Sequence, residues 1–461
     1  MKHATKILAL LLALVMGLSL VACGGGDSST PTADGGAGTG NGGGSTGGST
    51  SGQKLVIWAL ADDLKDIGAY YQEQTGVEVE VNVIAPADYP TKLQTAIMGH
   101  DDTVDIIMGE PQMLGDMFEY GAFADLDAMG AQEYAGKQTD YVWQFGKDKD
   151  GVQRAIGYQM TPAGIFYRRD IAEKVFGTDD PDAIGELFKD YDTILQTAQT
   201  LKDAGYRCFA SDSEMNYFSN DEPWVVDGKL NVSQGRWDYM DMVIELYQKD
   251  LTAYCSAWST PWYLAMAGSV PILSADDNVW SEDFESEHAN DEQVEVFSFA
   301  LPTWGCLTLR DHVGDLSGLW GACAGPNPGW GGGALMGISV YSKNPDLAWD
   351  FIQFATLNDD EADWWIEFSE GDVVALISAQ ERHKDDENEV YGNQKLYAFW
   401  SEQAAKIDPS TVTQYDQQIG DAWGAAIGKI KTGELSREDA VNEFYDKVAS
   451  TYPELVIERD A

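Results

Sequence analysis

The chain has 461 residues, with 76 acidic against 29 basic side chains and a formal net charge of −47. That balance excludes nucleic acid as a general partner, because phosphates are met by lysine and arginine. It also excludes docking on anionic lipid through a basic face. A hydrophobic content of 44% supports an ordinary globular core, and the acidity reads as surface solubility that names no ligand.

At the N-terminus Lys2, His3 and Lys6 lead into an apolar run from Ile7 to Ala22. The run is short for a bilayer span and has the charged start and small-residue end of a secretory signal. Its ending, Leu20-Val21-Ala22-Cys23, resembles a bacterial lipobox, so cleavage before Cys23 and lipidation of that residue are expected. An ordinary signal with an incidental cysteine, or a short uncleaved anchor, is the plainer alternative. Residues 24–53 are mostly Gly, Ser, Thr, Asp and Pro, a flexible coil reaching about 30 Å root-mean-square. About 440 residues remain after cleavage, enough for two sizeable domains.

Folded sequence is expected from Lys54. Leu55–Leu60 is a continuous apolar run, as in a strand buried on both faces. A helix follows over 62–74, stopped at Gly76. Val77, Val79, Val81 and Val83 then alternate with polar residues as a period-two strand. Residues 88–98 and 111–120 read as helices, with a short buried strand over 104–108 between them. After an extended segment at 156–159 come a strand at 164–167 and helices at 171–176 and 191–204. Strands are expected at 270–274, 294–300 and 335–341. From Pro345 the chain is mostly helical, ending with 440–451. Strand–helix alternation of this kind is the pattern of a parallel sheet covered by helices.

Besides Cys23 the chain holds Cys208, Cys255, Cys306 and Cys323. An even number in an exported protein permits two disulfides, Cys208 with Cys255 and Cys306 with Cys323 being one of three connectivities. Four buried free thiols are the equal alternative. No Cys-x-x-Cys occurs, so neither a zinc ribbon nor a thioredoxin-like redox site is indicated, and no metal site is expected. Asp148-Lys149-Asp150-Gly151 starts like a calcium loop but lacks the remaining ligand positions, and reads as a turn.

Several segments together resemble the extracellular solute-binding proteins of ABC sugar importers, solute-binding family 1 of the maltose-binding type. They are Lys54–Trp58 with Gln74–Val79; Asp105–Gly109 with Gly121–Leu126; Gly164–Asp170; and Lys343–Phe351. Their order and spacing run from Lys54 to about Thr451. The resemblance implies an α/β, two-lobe, type II periplasmic-binding-protein-like fold with hinge crossovers and a helical C-terminal part. It divides the chain into a signal over 1–22, lipidated Cys23 and linker over 23–53, lobe 1 over 54–163 and 297–388, and lobe 2 over 164–296 and 389–461. It implies a ligand held between strand C-terminal ends and helix N-termini, as in open α/β sheets generally. Separate permease and ATPase chains are implied too, since no Gly-x-x-x-x-Gly-Lys loop is present here.

Asp62 and Asp63 follow the first strand, one expected as a helix N-cap and the other as a ligand contact. The maltose-binding pattern has a lysine where Asp63 stands. Glu110 and Gln112 follow the third strand, beside Gly109 where that pattern has an aromatic residue, which argues against maltose itself. Thr161 lies at the lobe crossover, either as a hydrogen-bonding contact or as a hinge residue. Asp276–Trp280 resembles the family's sugar-contact turn, so Trp280 is the leading candidate to stack on a pyranose ring, with Asp277 and Asn278 taking hydroxyls. Trp330, in a glycine-rich segment, is either a second stacking residue or part of a tight turn into the next strand. Trp423 is a weaker candidate, and Trp58, Trp364 and Trp365 read as packing. Fifteen tryptophans favour a ligand with ring faces.

The expected function is therefore a monomeric, lipid-anchored receptor for a carbohydrate, most simply an oligosaccharide. It would deliver its ligand to an ABC permease, work at a cell surface without a confining periplasm, need no cofactor and catalyse nothing. One alternative keeps the fold and binds a polyamine or other small solute. The other is a secreted carbohydrate-active hydrolase, against which stand the missing His-Glu-x-x-His and Gly-x-Ser-x-Gly motifs and only five histidines.

Overall fold

A computed structural model describes residues 53–86 and 88–459. The signal, Cys23 and the linker up to Gly52 lie outside the described residues. Among those described, no helix is long and apolar enough to cross a membrane.

The first sheet contains β1 (Lys54–Ala59), β2 (Glu78–Val83), β3 (Ile106–Gly109), β4 (Ile156–Gly157) and a late strand, β12 (Leu335–Ile338), in the order β2-β1-β3-β12-β4. The first three are parallel, Ile57 pairing with Val81 on one side and Ile106 on the other. β12 returns antiparallel to both β3 and β4. β1 is apolar because both of its faces are covered: Leu55, Ile57 and Ala59 are inaccessible, and Trp58 is buried under Lys92, 4.9 Å from its ring. β2 forms the edge, which explains its alternating pattern, its half-buried Val79 and Val81 and its exposed Val83.

The second sheet has the order β11-β5-β10-β6, from β5 (Ala163–Arg168), β6 (Tyr206–Phe209), β10 (Gln293–Pro302) and β11 (Trp320–Cys323), with β9 (Ser269–Pro271) beside β10. A small hairpin, β7 (Val225–Val226) and β8 (Lys229–Leu230), stands apart. Alternate residues of β5 enter different cores: Ile165 and Tyr167 join one cluster and Phe166 the other. This is why β5 reads as an unbroken apolar run. Both β10 and β11 stay in the second sheet, so the strands return to the first sheet after Cys323, later than the expected boundary at 297.

Three stretches of chain meet between the sheets. Tyr158–Ala163 is bonded on one flank to the Gly329–Ala334 segment (Ala163 N–H to Gly329 O, 2.7 Å; Gly331 N–H to Thr161 O, 3.2 Å). Its other flank meets Val373–Ala375 (Met160 N–H to Val373 O, 2.9 Å; Ala375 N–H to Tyr158 O, 2.8 Å). The C-terminal helices Asp416–Lys431 and Arg437–Thr451 then pack on the second lobe through Ile419, Trp423, Phe444 and Tyr445.

The four described cysteines are free thiols, so the two possible disulfides are not formed. Each is buried, and burial pushes its thiol pKa up, to about 12 for Cys306 and higher for the rest. Because the thiolate is the reactive form, a thiol reagent is expected to leave these positions unlabelled in the folded protein and to label all four after denaturation. Rapid labelling of the folded chain would contradict this arrangement.

Candidate functional site

The cleft is built from the C-terminal ends of β3, β6 and β10 and the crossover strands. One cavity in it, about 400 Å³, is lined by Gln112 from the first lobe, Trp330–Gly332 from the crossover, and Asp212, Tyr217 and Tyr239 from the second lobe. The Asp416–Lys431 helix closes one side with Asp416, Asp421, Trp423 and Lys431.

The glycine-rich segment has a steric cause. A Cβ on Gly331 would sit 2.2 Å from the Tyr217 ring, and Gly333 adopts φ +96°, which disfavours L side chains. Trp330 is thereby folded inward, 6% exposed and against Phe145 at 4.9 Å. Trp304 is fixed beside it, its Nε1–H donating to Gly331 O at 3.2 Å, with Tyr217 edge-on at 6.2 Å.

Glu110 and Gln112 stand where β3 gives way to the helix Pro111–Glu119. Gln112 Nε2 donates to Glu110, whose pKa burial pushes upward against that bond. This leaves Gln112 Oε1 buried without a partner. Across the cavity, Lys431 pairs with Asp212. Burial pushes the Asp416 carboxyl up to about 6, although Thr413 donates to it from Oγ1 at 2.7 Å and from its backbone N–H at 3.1 Å. The indole Nε1 atoms of Trp330 and Trp423 are likewise buried without partners. Three unsatisfied polar atoms, one acceptor and two donors, thus belong to residues lining a single cavity.

Of the other expected residues, Asp62 occupies the N-cap position but makes no side-chain cap, pairing instead with Lys65 at 2.6 Å. Asp63 joins the crossover, accepting from Tyr158 Oη at 2.7 Å in a network in which Gln159 Nε2 donates to Asp372 at 2.6 Å. Thr161 is buried, and its hydroxyl is used on Gly332 O at 3.2 Å. The turn holding Asp277, Asn278 and Trp280 is not brought to this cavity. β9 runs antiparallel to β10, pairing Pro271 with Gln293, so the chain leaves β9 at the end of β10 opposite Pro302. In that turn Asp277 accepts from Ser274, Asn278 accepts the Trp280 N–H, and the indole is 63% exposed. Tyr217, Tyr239, Asp212 and Lys431 were not singled out from the sequence. Only their position after β6 and on two helices reveals them.

Among the described residues no group of three or more His, Cys, Asp or Glu side chains is placed to hold a metal. The arrangement suits reversible binding of a small polar molecule against aromatic faces.

No curated protein sequence matches the chain. Among solved structures, an extracellular solute-binding protein of family 1 superposes with a TM-score of 0.70 at 16% identity, covering 86% of this chain and 99% of that one. The galacto-N-biose-/lacto-N-biose I-binding protein of the ABC transporter from Bifidobacterium longum gives 0.67 at 15% identity, over 88% and 98%. The ABC transporter associated binding protein from B. animalis subsp. lactis Bl-04, in complex with β-1,6-galactobiose, gives 0.65 at 18%, over 88% and 100%. At these identities the likeness establishes the two-lobe fold. The family model for bacterial extracellular solute-binding proteins matches residues 66–388. The chain belongs to the bacterial extracellular solute-binding protein family.

Proposed function

We propose that this protein is a lipid-anchored receptor that binds a carbohydrate between its lobes and delivers it to an ABC permease, without catalysing a reaction. The observation that carries the ligand class is a cavity of about 400 Å³ that sets the aromatic side chains Tyr217, Tyr239, Trp330 and Trp423 among Gln112, Asp212, Asp416 and Asp421. A polyol both donates and accepts hydrogen bonds, so its hydroxyls can meet the carboxylates and the amide that line the cavity. The surrounding aromatic faces suit the C–H face of a pyranose. The sugar ligands named for the structural neighbours from Bifidobacterium longum and B. animalis point the same way.

A polyamine is the second reading, favoured by Asp212, Asp416 and Asp421 facing the cavity against Lys431 alone. A polyamine only donates and offers no sugar-ring face to the aromatic lining, which ranks it below a sugar. Asp63, Glu110 and Gln112 belong in this proposal at the first-lobe wall and the crossover, with Thr161 as a positioning residue. Membrane attachment rests on the Cys23 lipobox and the Gly/Ser leash, which would keep a monomeric receptor near its permease.

The test is calorimetry on protein lacking residues 1–53, titrated with neutral oligosaccharides, spermidine and putrescine. Saturable heat with a neutral sugar is expected. Saturation by the amines alone would replace the sugar reading, and turnover of an oligosaccharide would replace the receptor with a hydrolase.

A further inference from the structure

Trp258 is a bulky side chain held where such residues seldom sit. Its φ is +69°, a left-handed conformation that costs a β-substituted residue about 1–2 kcal/mol. The residue is nevertheless 52% exposed, so core packing does not explain the strain. The turn beneath it is fixed by Ser259, whose N–H and hydroxyl both donate to Ser256 O, at 3.1 and 2.7 Å.

One face of the ring lies on Trp304, 5.2 Å away with planes 27° apart, and Trp262 supports it at 5.1 Å. Trp304 is in turn tied to Gly331 O and flanked by Tyr217, both of which line the cavity. Aromatic contacts therefore link the cavity, through Tyr217 and Trp304, to an exposed tryptophan outside it. A single exposed tryptophan is unremarkable on a protein surface. One fixed by backbone strain and ring stacking, at the end of an aromatic path leading from a binding cavity, is preorganised.

We infer that Trp258 is a platform for a sugar ring outside the cavity, and that the physiological ligand is an oligosaccharide too long for that cavity alone. This rests on the carbohydrate reading. The outer ring would stack its C–H face on the free indole face, while the inner rings occupy the cavity bounded by Trp330 and Trp423. Because the platform is already ordered, the distal ring binds without paying to immobilise a loose side chain.

The experiment compares disaccharides with tetrasaccharides of the malto-, cello-, xylo- and β-galacto-series, by calorimetry on the wild type, Trp258→Ala and Trp258→Gly. Wild type is expected to prefer a tetrasaccharide. Trp258→Ala should weaken that ligand about tenfold while changing the matching disaccharide less than twofold. Trp258→Gly relieves the left-handed strain that alanine keeps, so it should show the same selective loss with a melting temperature no lower than that of Trp258→Ala. Equal losses at both lengths, or an undiminished tetrasaccharide affinity, would overturn the platform. Equal wild-type affinity for both lengths would overturn it too while leaving the carbohydrate reading standing. Failure of wild type to bind any of these sugars would remove both.

Discussion

Replacing Gly115 by leucine is expected to open the cleft and weaken ligand binding at least tenfold while leaving each lobe folded. Gly115 lies on the Pro111–Glu119 helix, which carries Gln112, and a Cβ there would sit 2.4 Å from Gln414 Cα. The obstacle is backbone, so no rotamer change can relieve it. Gln414 lies two residues before the Asp416–Lys431 helix, the opposite wall of the cavity. The close approach of the two walls therefore depends on the absence of one side chain. Leucine is a far better helix former than glycine, by several tenths of a kcal/mol or more, so the helix itself gains. Small-angle scattering should show a larger radius of gyration, circular dichroism should be unchanged, and calorimetry should show the loss of affinity. Wild-type dimensions with wild-type affinity would show that the walls yield by another route.

The second large effect is on stability. Trp262 is wholly buried, and its Nε1 donates to Glu214 Oε1 at 2.8 Å beneath the second-lobe side of the cleft. Trp262→Ala is expected to cost about 3–5 kcal/mol through lost packing and the cavity it leaves. Trp262→Phe keeps most of the ring but removes the donor, which separates the electrostatic part. Burial pushes Glu214 up to about 8, with the bond from Trp262 opposing that shift. A carboxyl whose pKa is raised on folding contributes its full stability below the unfolded value, near 4.5, and loses it as pH rises through about 8. Without the indole N–H the folded value climbs further, so the ionised form becomes costlier. The loss in Trp262→Phe should therefore be larger at pH 8.5 than at pH 5 in urea titrations. Equal losses at the two pH values would assign the whole effect to packing.

Sequence periodicity located the first lobe well because its order is local. The apolar run of β1, the alternating valines of β2 and the Gly76 stop each report their immediate surroundings, and Gly76 does cap its helix at φ +77°. The second lobe was less legible. β11 contains Gly321, which a local reading assigns to a loop, yet a Cβ there would be 2.8 Å from the Tyr167 ring across the sheet. Its strand character comes from a neighbour distant in sequence. The Gln234–Gln248 helix, which supplies Tyr239 to the cavity, has aromatic and charged residues around much of its circumference and so carries a weak stripe.

The candidate site divides along the same line. Gln112 and Trp330 could be named because each directly follows or precedes a recognisable strand, and both line the cavity. Trp280 was placed by its resemblance to a sugar-contact turn, but the antiparallel pairing of β9 with β10 carries that turn to the other end of the strand. Strand direction is fixed by pairing partners, which a single motif does not encode. Trp258 offered no signal at all, since its place depends on a left-handed backbone and on Trp304 far along the chain.

The position of β12 has a consequence for how the molecule comes into being. This strand lies between β3 and β4, yet the whole sheet of the second lobe separates it in sequence from both. A growing chain that has not reached Leu335 leaves β3 with an open edge and β4 with no partner in the first sheet. The first lobe cannot be completed as it emerges; it waits for the second to be made. Such long-range closure slows folding, and a slow-folding chain has time to remain extended during synthesis.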